Sequence, residues 1–189
     1  MNEKNRVCPV ERAGMLESYF RRLIHDPRKI LRPYIEPGMT AIDFGCGPGF
    51  FTIEMAQLVG KSGYVIACDL QDGMLEKVKV KIDRARLQDV ISLHKTREDQ
   101  TGLNIMADFV LAFYIVHEIP NQGKVIKELC SLLNPDGKLL IVEPPFHVSD
   151  DEFSATINFA KSAGLIQIGS PKIFMSKTAV LKKVREVRP

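Results

Sequence analysis

Apolar and polar positions along the chain change period several times, and the changes mark out its elements. Short apolar runs bounded by Gly, Pro, Asn or Asp recur at 40–44, 64–68, 91–94, 109–113 and 138–142. Runs of that length, rich in β-branched and aromatic residues, predict buried strands. Helical spacing fills the gaps at 50–59, stopped by Gly60, at 72–86, with Met74, Leu75 and Val78 on one stripe, and at 123–133, before Asn134-Pro-Asp-Gly. A helix at 150–163 closed by Gly164, then strands near 165–168 and 178–184, complete the series. Ahead of it, Leu16, Tyr19, Phe20, Leu23 and Ile24 keep helical spacing up to Pro27, with a shorter turn before Pro33, so 14–35 reads as a helical lead. Strands alternating with helices predict an α/β fold around a parallel sheet. At 189 residues the chain fits one domain, divided here into a lead at 1–36 and a core at 37–189.

The most informative string is Ala41-Ile-Asp-Phe-Gly-Cys-Gly-Pro-Gly-Phe-Phe51, a strand that meets an acid and then glycines at alternate positions. Gly45, Gly47 and Gly49 let the backbone turn sharply and let a ligand approach the peptide plane. A dinucleotide fingerprint needs Gly-x-Gly-x-x-Gly, and Phe50 stands where its third glycine belongs. The second strand also ends in an acid, Asp69, 24 residues beyond Gly45. A carboxylate there suits bidentate hydrogen bonding to ribose hydroxyls. Taken alone, the glycine string has a lesser reading as a tight strand-to-helix turn that binds nothing.

Together these residues resemble motif I, Asp-x-Gly-x-Gly-x-Gly, of the class I S-adenosylmethionine (SAM)-dependent methyltransferases. The resemblance runs over about 37–187. It implies a Rossmann-like seven-stranded, mostly parallel sheet with an antiparallel last strand, helices on both faces and the N-terminal helical lead. It also implies SAM as cofactor, with Asp43 near the cationic amino-acid end, Asp69 on the ribose and Leu70 packed on adenine. Cys46, Thr96, Arg97 and Phe113 join Gly45, Gly47 and Gly49 as expected cofactor contacts. Thr96 stands where many members carry an Asp on the adenine amino group. Glu98 and Asp99, in the adjacent turn, read either as substitutes or as solvent-exposed acids.

Ligands of open α/β sheets bind beyond the strand carboxyl ends, so the loops after the fourth and fifth strands hold the remaining candidates. After the fourth comes Ala112-Phe-Tyr-Ile-Val-His-Glu-Ile-Pro120, unlike the Asn/Asp-Pro-Pro-Tyr/Phe signature of amino-directed nucleic-acid methyltransferases. It is similar instead to small methyltransferases related to the ubiquinone and menaquinone C-methyltransferases. His117 reads as a general base or as a hydrogen-bonded structural histidine, with Glu118 orienting the ring or capping a helix. After the fifth strand, Glu143-Pro-Pro-Phe-His147 brings an acid and a second histidine to the same edge. Tyr19, Tyr114, His117, Glu143 and His147 are the expected acceptor pocket. No metal is expected, although Cys8, His117 and His147 would suit a soft metal or metalloid if they converged at a lid.

Composition narrows the partners. The net charge of +3 is too slight to argue for nucleic acid or a membrane surface, and the basic run at 181–188 alternates with apolar residues as a solvated face would. No apolar stretch is long enough for a membrane span, and there is no signal core. Cys8, Cys46, Cys68 and Cys130 form no Cys-x-x-Cys pair. These features predict a cytoplasmic protein, and the resemblance implies an enzyme that transfers the methyl group of SAM to a small-molecule acceptor. A protein or RNA acceptor, a SAM-binding regulator without catalysis and an NAD-dependent oxidoreductase are the rivals.

Overall fold

A computed structural model of the protein describes residues 24–184. Seven strands form one sheet in the order β3-β2-β1-β4-β5-β7-β6. They are β1 (Thr40–Phe44), β2 (Tyr64–Asp69), β3 (Ile91–Lys95), β4 (Ala107–Phe113), β5 (Leu133–Glu143), β6 (Leu165–Gly169) and β7 (Lys177–Lys183). The first five pair parallel, whereas β7 runs antiparallel to both β5 and β6. The order reverses between β1 and β4, which opens a crevice at the carboxyl ends of those two strands.

Helices cover both faces because alternate strand residues point opposite ways. Ala41, Val65, Phe109 and Leu140 face one cluster with α1 (Pro27–Leu31), α2 (Thr52–Val59) and α3 (Asp72–Ala85). Ile42, Ile66, Val110 and Leu139 face the other, with α4 (Gln122–Ser131) and α5 (Asp150–Ser162). Local chemistry sets the helix starts. Asp26 accepts from the amides of Arg28 and Lys29 at 3.0 and 3.3 Å, with Pro27 in the first turn. Ser149 and Glu152 form a reciprocal capping box at α5. Leu31 and Ile35 are buried in the first cluster, which fastens the end of the lead to the sheet. The remainder of the lead, at 1–23, lies outside the described residues.

Two sequence expectations need correction. The helix expected at 123–133 ends at Ser131, because Leu133 already pairs with Ala107 as the first residue of β5. The Asn134-Pro-Asp-Gly turn is an excursion inside that strand, with Asp136 at φ 68°, before pairing resumes at Lys138 and Phe109. The helix expected from Phe50 begins at Thr52, since Phe50 and Phe51 complete the glycine turn.

The crossover from β3 to β4 contains no helix. Residues 96–106 cross the sheet as irregular chain, with Leu103 and Ile105 on the second cluster. Glu128 of α4 pins it by accepting from the Thr101 amide and hydroxyl at 2.8 and 3.1 Å.

Candidate active site at the carboxyl edge

The glycine loop is fixed to the end of β2 through backbone bonds. The amides of Gly45 and Cys46 both donate to the Cys68 carbonyl, at 2.9 and 2.8 Å, and Gly49 turns back onto Cys46 at 3.0 Å. Gly45, Gly47 and Gly49 have φ of 73°, 53° and 84°, the left-handed region that favours glycine. Their missing side chains differ in consequence. A Cβ on Gly45 would lie 2.3 Å from Ile115 and one on Gly49 3.2 Å from Val78, whereas one on Gly47 would meet nothing within 4 Å. The first glycine is therefore required by protein packing, the third is crowded by Val78, and the middle one faces open space.

Two buried acids flank this loop. Asp43 accepts a 2.6 Å bond from the Thr52 hydroxyl. Asp69 accepts from the amides of Gly47 and Gln71, each at 2.9 Å, so the ends of β1 and β2 are tied by one carboxylate. Burial raises the Asp69 pKa above the ordinary carboxylate value, opposed by its bonds from the amides of Gln71, Gly47 and Leu70. Leu70 is half-buried beside it. Thr96 is buried and its amide donates to the Asp69 carbonyl at 3.0 Å, while Arg97 is exposed in a short turn with Gln100. Asp99 pairs with Lys124 at 3.0 Å, and Glu98 is exposed. Burial pushes the Cys46 thiol up, and the nearby Asp43 and Asp69 charges push it further, so it stays a neutral, packed thiol.

Across the crevice, the loop after β4 carries the side-chain chemistry. Tyr114 sits at φ 59°, with its amide on the Val142 carbonyl at 2.8 Å. Its hydroxyl lies 2.7 Å from Ser176 Oγ and 3.2 Å from His25 Nε2. His25 also meets Phe113, Tyr114 and Phe174 edge-on at centroid distances of 5.2, 5.6 and 6.4 Å. Aromatic rings thus run from Phe51, packed on Phe113 at 4.5 Å, out to the exposed Phe174. Phe146 and Met175 are also exposed, at 83% and 61%.

His117 lies in a 3₁₀ turn at Val116–Glu118. Its Nδ1 is 2.5 Å from Glu143 Oε2, and Glu143 Oε1 accepts from the Val116 amide at 2.9 Å. The carboxylate on this imidazole is therefore the buried Glu143, from the end of β5, and Glu118 acts on the ring through its charge. Burial pushes the His117 pKa down. The Glu143 hydrogen bond and the charges of Glu143, Glu118 and Glu152 outweigh it, and the net pKa is raised. His147, on an exposed loop, stacks at 6.2 Å from the His117 ring with 30° between planes.

The structure thus brings together Asp43, the glycine loop, Asp69, Leu70 and Thr96 on one side, and Tyr114, His117, Glu143 and His147 on the other, with Phe113 packed on both Phe51 and Tyr114 at 4.5 Å. Tyr19 and Cys8 lie outside the described residues. Sequence reasoning missed His25 and Ser176, which join this edge from the lead and from the loop before β7. No local signal identifies them, since each is defined by its contact with Tyr114. Among the described residues no three His, Cys, Asp or Glu side chains converge as a metal site, and no helix is long and apolar enough to cross a membrane.

Comparison with known proteins agrees with this geometry. The model of the family described as Methyltransferase domain (Methyltransf_31) matches residues 35–180. Demethylmenaquinone methyltransferase of Bacillus cereus (strain ATCC 10987 / NRS 248) is 29% identical over 109 residues, 58% of this chain and 46% of that protein. The chain thus spans under half the length of the curated relatives it matches. Among solved structures, a SAM-dependent methyltransferase from Aquifex aeolicus aligns with a TM-score of 0.82 and 23% identity, covering 93% of this chain and 98% of that one. A putative rRNA-methylase from Clostridium thermocellum gives 0.68 and 20%, covering 85% and 95%. The Gly47 backbone is open at its Cβ position, and its amide donates to the Asp69 carboxylate. The chain belongs to this methyltransferase-domain family.

Proposed function

We propose that the chain methylates a small-molecule acceptor seated beyond the carboxyl ends of β4 and β5. The observation that carries this reading is how tightly the two sides of the crevice meet. Ile115 occupies the space that a Cβ on Gly45 would need. Among the described residues the acceptor side is then bounded by short loops at 114–118, 144–149 and 170–176, without an insertion offering a broad surface. Its Tyr114, Phe146 and Phe174 rings favour an apolar or planar acceptor. Support also comes from the curated relatives, whose printed name gives demethylmenaquinone as their acceptor. The net charge of +3 supplies little attraction for a polyanion.

On the cofactor side, Asp43, Gly45, Cys46, Gly47, Gly49, Asp69, Leu70, Thr96, Arg97 and Phe113 would hold SAM, Asp69 on the ribose and Asp43 toward the amino-acid end. SAM supplies an electrophilic methyl carbon on a sulfonium, and the protein supplies alignment and exclusion of water around it. Residues 1–36 would act as a lead closing over this edge, a reading supported by the contact of His25 with Tyr114. Residues 37–189 would form the catalytic core.

Incubating the full chain with methyl-labelled SAM, and in parallel with a metabolite extract, total RNA and a protein extract, checks the acceptor class. Label is expected in the small-molecule fraction. Label confined to RNA or protein would overturn the reading.

A further inference from the structure

We propose that Glu143 and His117 form a proton-accepting pair, with Glu143 the positioning residue and His117 the catalytic base, for an acceptor that arrives as a weakly acidic O–H or C–H compound. The inference rests on the small-molecule reading and names the class of molecule within it. It begins from how Glu143 spends its two oxygens. Oε1 takes the Val116 amide, which alone would secure the 3₁₀ turn, and Oε2 takes His117 Nδ1. The second bond is not needed to cap the turn. It fixes the ring and places the imidazole proton on Nδ1, leaving Nε2 as the basic nitrogen.

Acidic groups surround this ring from several elements. Glu143 approaches from β5, Glu118 from the turn itself and Glu152 from the start of α5, with His147 stacked from the β5–α5 loop. Burial opposes charge on the imidazole, and the carboxylates outweigh it, so an imidazolium formed there is stabilised. The position also suits proton removal, because the preceding Ile115 abuts the glycine loop.

In the proposed step the acceptor proton moves to Nε2 while the acceptor oxygen or carbon bonds the methyl carbon. The C–S bond breaks with its electron pair left on sulfur, turning a sulfonium into a neutral thioether. The new imidazolium is balanced by Glu143. An acceptor already ionised, such as a thiolate, would have no use for the pair.

The experiment uses the full chain with methyl-labelled SAM and a metabolite extract from about pH 5.5 to 9, in wild type, His117→Ala, Glu143→Gln and Glu143→Asp. The His117 imidazole is followed separately by ¹⁵N NMR without acceptor. His117→Ala should lower the rate of labelled product roughly a hundredfold. Glu143→Gln should lower it by about tenfold or more, and Glu143→Asp should restore part of the loss. The acidic limb of the rate profile should follow the imidazole pKa read by NMR, and both should move to lower pH in Glu143→Gln. The new methyl should lie on oxygen or carbon, a result that needs no variant. Wild-type rates in His117→Ala, a methyl on a thiolate sulfur, or the same His117 pKa in wild type and Glu143→Gln would each overturn the pair while leaving the small-molecule reading intact. A wild-type protein that labels no small molecule would overturn that reading, and the pair with it.

Discussion

The two sides of the crevice are built by different means. On the β1–β2 side most polar groups are tied to backbone: Asp69 accepts from the amides of Gly47 and Gln71, and the loop amides of Gly45 and Cys46 donate to the Cys68 carbonyl, with Thr52 on Asp43 the side-chain pair. On the β4–β5 side, side chains mostly hold side chains, with His117 on Glu143 and Tyr114 between Ser176 and His25, while the second Glu143 oxygen takes the Val116 amide. A backbone cradle needs glycine and one acid at fixed spacing, and so presents the same shape whatever lies beyond it. A side-chain assembly needs partners far apart in sequence, and can change with them. One half is suited to an invariant ligand, the other to an acceptor that sets specificity.

The largest expected effect comes from breaking the contact that joins the halves. Gly45→Ala places a Cβ against Ile115 in a left-handed backbone, and strain with overpacking should together cost about 2–6 kcal/mol. Thermal unfolding reads this, and adding Ile115→Ala should recover the overpacking part only. A Gly45→Ala protein as stable as wild type would mean that the halves are not in contact.

Asp69→Ala acts on the backbone-built half alone. Each of the two charge-assisted bonds lost is worth about 1.5–3 kcal/mol, so SAM affinity measured by calorimetry should fall roughly a hundredfold or more. A change below about twofold would remove Asp69 from the cofactor contacts.

The side-chain half should declare itself through pH. A histidine whose pKa is raised on folding stabilises the fold fully below its unfolded pKa of about 6.5, and this stabilisation is lost as pH rises through the folded value. The difference in Tm between wild type and Glu143→Gln should therefore be larger near pH 6 than near pH 9. A difference that does not vary with pH would show that Glu143 holds the Val116 amide and leaves the imidazole charge unsupported. The smallest effect should come from Thr52→Val, which removes one partner of the buried Asp43 at a cost of about 1 kcal/mol, while Thr52→Ser keeps it.

The same contrast governs what the sequence reveals. Five parallel strands, and β1 with its own bounds, are legible because apolar runs and their glycine or acidic ends are local signals. The left-handed turns at Gly45, Gly47 and Gly49 follow from local spacing too. By contrast, the pairing of His117 with Glu143 joins residues 26 apart, and nothing near His117 distinguishes Glu143 from the adjacent Glu118. The start of β5 was hidden for a related reason. Pro135 and Gly137 carry turn chemistry, and only the pairing of Leu133 with Ala107 places the turn inside a strand. The helix-free crossover at 96–106 is held by Glu128 from a distant helix, again through tertiary contact.

Calorimetric titration of SAM into wild type, Gly47→Val and His117→Ala tests the division between the halves most directly. The open space at the Gly47 Cβ position means that a valine there fills the cradle without striking protein, apart from the strain of its φ of 53°. Gly47→Val should remain folded and lose SAM binding, and His117→Ala should bind SAM as wild type does. Normal binding by a folded Gly47→Val, or binding lost in a folded His117→Ala, would contradict the assignment of cofactor and acceptor to opposite sides of the crevice.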